Sequence, residues 1–129
     1  MKRKKLFSLL AVTTILSSGS ATSAFAQALT RISDLQPSRT PTTISGKIVG
    51  FGDADDNEWI IDDGSGRIRI DVGPRRWRDI NVSKGETIRV VGEMDDDEFN
   101  AFSITRSNGS LINIRSPQGR EPWDDKNDD

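Results

Sequence analysis

The side chains of this 129-residue chain that could do chemistry are carboxylates and guanidinium groups. Histidine, cysteine and tyrosine are absent. Their absence removes the commonest general base, the usual transition-metal ligands and the one side chain that titrates near neutrality unaided. Carboxylates crowd two turns, Asp53, Asp55, Asp56 and Glu58 in one, with the Asn57 amide among them, and Asp95, Asp96 and Asp97 in the other. Oxygen ligands at alternate positions resemble the opening of a calcium loop. The pattern then breaks, because Glu58 stands where the turn glycine belongs and Gly64 where the bidentate glutamate belongs. An EF-hand is excluded. Asp53, Asp55, Asp95 and Asp97 are left as candidates for weak divalent-cation binding, set against a reading as solvated turns whose charge discourages edge-to-edge pairing.

The guanidinium groups form a second set: Arg67, Arg69, Arg75, Arg76 and Arg78. Arginine forks can hold carboxylates or phosphates with two parallel hydrogen bonds. The competing use is cross-strand pairing with Glu58, Asp62 and Asp71, each exposed pair contributing no more than about 1 kcal/mol. The candidate ligand-binding residues are Arg67, Arg69, Asp71, Arg76 and Trp77. Catalysis by paired carboxylates, as in glycoside hydrolysis, needs environments that separate their pKa values. Here the carboxylates fall in turns and on outward positions, so a non-enzymatic protein without a cofactor is expected.

Residues 57–71, NEWIIDDGSGRIRID, must carry much of this set. Trp59 and Ile61 alternate with polar residues before the Asp63-Gly64-Ser65-Gly66 linker, and Ile68 and Ile70 alternate with Arg67, Arg69 and Asp71 after it. A period of two puts the apolar set on one face of a hairpin and the charged set on the other. A β-branched strand precedes it over residues 42–51, with Gly46 marking a bend. Two more strands follow, around Ile88 and Val90 and around Phe102 and Ile104, and residues 111–115 can add a short sixth. Leu29, Ile32 and Leu35 at helical spacing predict a short N-terminal helix that Pro37 and Pro41 end. Pro74 predicts the start of a short helix between strands three and four, with Trp77 as its large apolar side chain plugging the barrel base.

The first 26 residues read as an export signal. Lys2, Arg3, Lys4 and Lys5 precede an apolar run too short to span a bilayer, and Ala24-Phe25-Ala26 is a cleavage pattern. Four of the 18 basic residues and none of the 20 acidic ones lie in this segment, so the remainder carries 14 against 20, a net charge of −6. That charge counts against nucleic acid as a partner. The expected organisation is residues 1–26 signal peptide, 27–41 helix and linker, 42–115 barrel, and 116–129 a disordered acidic tail. Trp123, in that tail, has no predicted element to account for it.

Five antiparallel strands with no wide apolar face left over protect their edges best by closing into a barrel. With a helix between the third and fourth strands this is an all-β, five-stranded oligonucleotide/oligosaccharide-binding (OB) barrel; an SH3-like barrel is the alternative. The opening strand Ile44-Ser45-Gly46-Lys47-Ile48-Val49, the 63–66 turn, Ile68-Arg69-Ile70-Asp71, Arg76-Trp77, and Val91-Gly92-Glu93 before an acidic turn resemble the bacterial OB-fold (BOF) family of exported, YgiW/YdeI-type stress-tolerance proteins. The resemblance implies a periplasmic, non-enzymatic protein that binds an envelope glycan, a small ligand or a protein partner and supports stress tolerance. A monomer is expected.

Overall fold

The computed structural model describes residues 28–117 and 119–124. The predicted signal peptide lies outside the described residues, as do residues 125–129 of the tail. Six strands run in chain order: β1 Thr42–Phe51, β2 Asp56–Asp62, β3 Arg67–Pro74, β4 Thr87–Met94, β5 Glu98–Arg106 and β6 Leu111–Asn113. Their order in the sheet is β3-β2-β1-β4-β5-β6, and β3 also pairs with β5. That last pairing is parallel, through Arg69–Glu98, Ile70–Phe99 and Asp71–Asn100, and it closes the first five strands into a barrel. The two edges that would otherwise template aggregation are thereby joined. β6 pairs with the later part of β5, opposite Ser103, Ile104 and Thr105. The architecture is all-β and OB-fold-like.

The apolar alternation read in the sequence becomes the core. Trp59, Ile61, Ile70, Val72, Ile44, Ile48, Ile88, Val90, Phe99 and Ile104 are buried inside the barrel. Trp59 faces Ile70 and Ile61 faces Ile68 across the β2–β3 hairpin. At Gly46, β1 passes from β4 to β2, and a Cβ there would stand 2.9 Å from the Asp62 carbonyl oxygen. Only a residue without a side chain permits that approach.

The β2–β3 turn is built by carboxylates. Asp62 Oδ1 accepts from Gly64 N at 2.7 Å, and Asp63 Oδ1 accepts from Ser65 N, Ser65 Oγ and Gly66 N. Asp63 Oδ2 also accepts from Ile32 N at 2.8 Å, while Ser65 Oγ accepts from Ser33 N at 3.0 Å. The turn thus ties the N-terminal segment to the barrel.

Both predicted helices are corrected. The N-terminal segment makes one 3-10 turn, Ile32–Asp34, with Ile32 buried, Leu35 half-buried and Leu29 exposed. Its apolar residues do not share one face, because Thr30 N donates to the Thr43 carbonyl and keeps the preceding chain extended. So short a segment gains too little to nucleate a helix alone. Between β3 and β4, Trp77 N and Arg78 N both donate to the Pro74 carbonyl in a single turn. Asn57, buried on β2 in phase with Trp59, then captures the backbone: its Nδ2 donates to the Arg78 carbonyl at 2.6 Å, and its Oδ1 accepts from Ile80 N at 3.3 Å. Those are groups that a continuing helix would need. Ile80 is buried, Val82 and Trp77 pack on the core, and this extended loop closes the barrel end in place of a helix.

Candidate functional site

The outer face of the β2–β3 ribbon presents Glu58, Ile60 and Asp62 beside Arg67, Arg69 and Asp71. Strand alternation places them there as directly as it buries Trp59 and Ile70. Arg67 Nε donates to Asp62 Oδ2 at 2.9 Å, and Arg69 Nε pairs with Glu58 Oε1 at 3.4 Å. Cross-strand pairing therefore engages both arginines. The Arg67 side chain remains 66 % exposed, so its pair adds little stability. The Gly64 amide, then Arg67, hold the Asp62 carboxyl below its ordinary value.

The start of β5 lies alongside, where Glu98 pairs with Arg69. Burial pushes the Glu98 carboxyl up, and nearby Asp71, Glu58 and Asp97 push it the same way, against the opposing pull of Arg69. Glu58 sits directly across from Asp71, a like-charge pair that Arg69 offsets. Ile60, Arg67, Ile68, Arg69 and Asp97 line a shallow cavity of about 360 Å³ on this face. Its floor is apolar and its rim carries both signs of charge. A larger cleft, about 820 Å³, lies among Pro37, Ser38, Arg39, Glu93, Met94, Asp95, Pro117 and Gly119. Most of its wall is connecting chain, whereas the smaller cavity rests on the barrel's strands.

The five candidate ligand residues split into two places. Arg67, Arg69 and Asp71 share the outer face. Arg76 and Trp77 lie beyond β3 at the other end of the ribbon, where Arg76 joins Ala54, Asp55, Asp56, Pro74 and Arg75 around a separate cleft of about 490 Å³. The candidate metal residues split as well. The turn holding Asp53 and Asp55 lies beside Pro74, since Asp56 pairs with it, whereas the turn holding Asp95 and Asp97 lies beside Arg69, through its partner Glu98. Five residues of β3 separate those levels, roughly 16 Å at strand rise. Among the described residues no three carboxylates group so as to hold a metal ion. Asp53 Oδ1 is engaged by the turn itself, accepting from Asp55 N at 3.2 Å, and the Asp55 main-chain carbonyl accepts from Arg75 N.

Two features escape a reading of the sequence. Ile60 contributes the apolar floor, although the same alternation that buries Trp59 puts it outside. Trp123 is half-buried against the barrel, 5.1 Å from Trp77 between ring centroids, a contact that its polar surroundings in the sequence do not announce.

Comparison with known proteins agrees with this architecture. A family model described as "Bacterial OB fold (BOF) protein" matches residues 18–108. The solved structure titled hypothetical protein ygiW from E. coli aligns with a TM-score of 0.50 and 27 % identity, covering 61 % of this chain and 89 % of that one. A Haemophilus influenzae protein named only as uncharacterized is 33 % identical over 45 residues. That match spans 35 % of this chain and 37 % of the relative's length. A solved complex of TiaS with a transfer RNA and ATP aligns at 18 % identity and a TM-score of 0.47, covering 60 % of this chain and 21 % of that one. At that level it is no guide to what this chain binds.

Proposed function

The chain belongs to the Bacterial OB fold (BOF) protein family, and from that premise we propose that it is an exported, non-catalytic binding protein of the periplasm that recognises an envelope component on the outer β2–β3 face and supports tolerance of envelope stress. The observation that carries the reading is the shallow cavity over Ile60 and Ile68 with Arg67, Arg69 and Asp97 at its rim. An apolar floor with a few polar groups of both signs suits a small polar ligand with one apolar face, as a glycan fragment has. The wall strands are fixed by barrel closure, so the site is preformed and needs little ordering on binding. Export is supported by the basic, apolar and A-x-A succession of residues 2–26. Nucleic acid is disfavoured by the net −6 of the remaining chain and by carboxylates lining the same face.

Divalent-cation binding, the competing reading of the acidic turns, loses its support with their separation along β3. The test is genetic and structural together. A strain lacking the gene is challenged with envelope stresses and complemented with the wild-type chain or with Ile60→Glu, which fills the cavity floor with charge while leaving the core untouched. The expected result is rescue by wild type and none by a folded, correctly exported Ile60→Glu protein. Equal rescue by both would refute the assignment of function to this face.

A further inference from the structure

Beyond β6 the chain folds back across the barrel end. Ile114 is buried, and Ile114 N and Arg115 N both donate to the Phe102 carbonyl. The Arg115 side chain is only 7 % exposed. Its Nε donates to the Ala101 carbonyl at 3.2 Å, and its Nη1 donates to Glu121 Oε1 at 2.6 Å. Its third nitrogen, Nη2, is buried and has no hydrogen-bond partner among the described residues. The guanidinium lies 5.4 Å from the ring centroid of Trp123. Trp123 in turn meets Trp77 and crosses Gly73, where an added Cβ would stand 2.9 Å from the indole. Arg78 sits 4.5 Å from the Trp77 ring centroid. The result is a ladder of two cations and two indoles at the barrel end.

The tail is an imperfect occupant of this place. A buried guanidinium donor without a partner is costly, and a carboxylate seated fork-on would engage Nη1 and Nη2 together. The Glu121 carboxylate reaches only one of them, and its side chain is 48 % exposed. No strand or helix holds the described residues of 116–124 in place. We propose that the barrel end formed by Gly73, Trp77, Ala101 and Arg115 is a docking site for an acidic, tryptophan-bearing segment of another polypeptide, and that Glu121 and Trp123 occupy it in cis until such a segment displaces them. The acidic residue of the partner takes the Arg115 fork, and its indole lies over Gly73 against Trp77. Because a tethered segment acts at millimolar effective concentration, the full wild-type chain binds such a partner far more weakly than a chain whose own tryptophan is gone. This site is separate from the β2–β3 face and does not depend on its assignment.

The test uses the full chain and the synthetic peptide acetyl-Arg-Glu-Pro-Trp-Asp-amide, followed by nuclear magnetic resonance. In Trp123→Ala, the peptide is expected to shift the signals of Gly73, Trp77 and Arg115, with at least tenfold tighter binding than to wild type and none when its tryptophan is replaced by alanine. A folded Trp123→Ala chain whose Gly73, Trp77 and Arg115 signals stay still would overturn the proposal, as would equal binding to both chains. In Glu121→Gln, which keeps the indole, added peptide should drive the Trp123 side-chain signal to a free position. A fixed Trp123 signal there would refute displacement even if the alanine variant proved unstable. Sedimentation showing wild type dimeric without peptide, with Trp123 of each copy on the other, would overturn the proposal in favour of self-association.

Discussion

Replacing Asn57 by alanine should unfasten the loop that closes the barrel. The side chain is fully buried and makes two hydrogen bonds to backbone, donating to the Arg78 carbonyl and accepting from Ile80 N. Alanine leaves both backbone groups without that partner, and Ile80 is itself buried. An orphaned buried amide or carbonyl costs about 1–3 kcal/mol. The space left by the amide adds to this, while partial entry of water at the carbonyl offsets some of it. The expected loss is about 2–4 kcal/mol. With a urea m-value of about 1–1.5 kcal/mol/M for a domain of this size, the unfolding midpoint should fall by about 2 M. Asn81→Ala on the exposed part of the same loop serves as the control and should stay within about 0.5 kcal/mol of wild type. The assay is urea unfolding followed by tryptophan fluorescence, with m compared among the three proteins. If Asn57→Ala shifts the midpoint no more than Asn81→Ala, the loop is not braced by this side chain, and the account of why no helix forms there fails.

Three other outcomes follow from the same structure. Asp63 accepts four hydrogen bonds, and although burial alone would raise its pKa, those from Ser65, Ile32 and Gly66 bring it down from 3.8 to about 2. A folded pKa below the unfolded value adds stability above about pH 4 that is lost as the pH falls toward 2. Asp63→Ala should therefore cost about 1–2 kcal/mol at pH 7, with the gap to wild type in urea unfolding narrowing between about pH 4 and pH 2. Glu98 has the opposite sign: its folded pKa is raised, so its ionised form opposes folding once the pH exceeds the unfolded value. Glu98→Gln should raise the urea midpoint at about pH 7 and leave it unchanged at about pH 3. Gly73 has φ +91 and lies under the Trp123 ring, so Gly73→Ala is strained in backbone and crowded in space. It should cost about 1–3 kcal/mol and part the Trp77 and Trp123 rings, with the expected outcome that an exciton couplet seen for wild type in circular dichroism is lost in the variant.

The hairpin is legible in the sequence because a single rule governs it. Trp59, Ile61, Ile68 and Ile70 point inward and Arg67, Arg69 and Asp71 outward by alternation alone, and the structure keeps that division except at Ile68, which is half-buried and also borders the outer cavity. The same rule also places Asn57 inside, but a polar side chain at an inward position identifies a brace only once its backbone partners, 21 and 23 residues away, are known. The predicted helices fail for a related reason. Leu29, Ile32 and Leu35 are spaced as a helix, yet hydrogen bonds from Thr30 to β1 and from Ile32 to Asp63 hold that segment to the barrel in another shape. Arg76 is near Arg67 and Arg69 in sequence, but β3 carries it to the far end of the ribbon. Trp123 is illegible because its partners, Trp77, Gly73 and Arg115, come together only when the barrel closes.

The central claim is that the outer β2–β3 face binds the ligand. Its most direct test is a chemical-shift map of the chain from Gln27 onward, titrated with envelope glycan fragments. Saturable shifts centred on Ile60, Arg67, Ile68, Arg69 and Asp97, lost in Ile60→Glu, are the expected result. Shifts confined to Arg75, Arg76 and the tail, with the β2–β3 face unmoved, would contradict it.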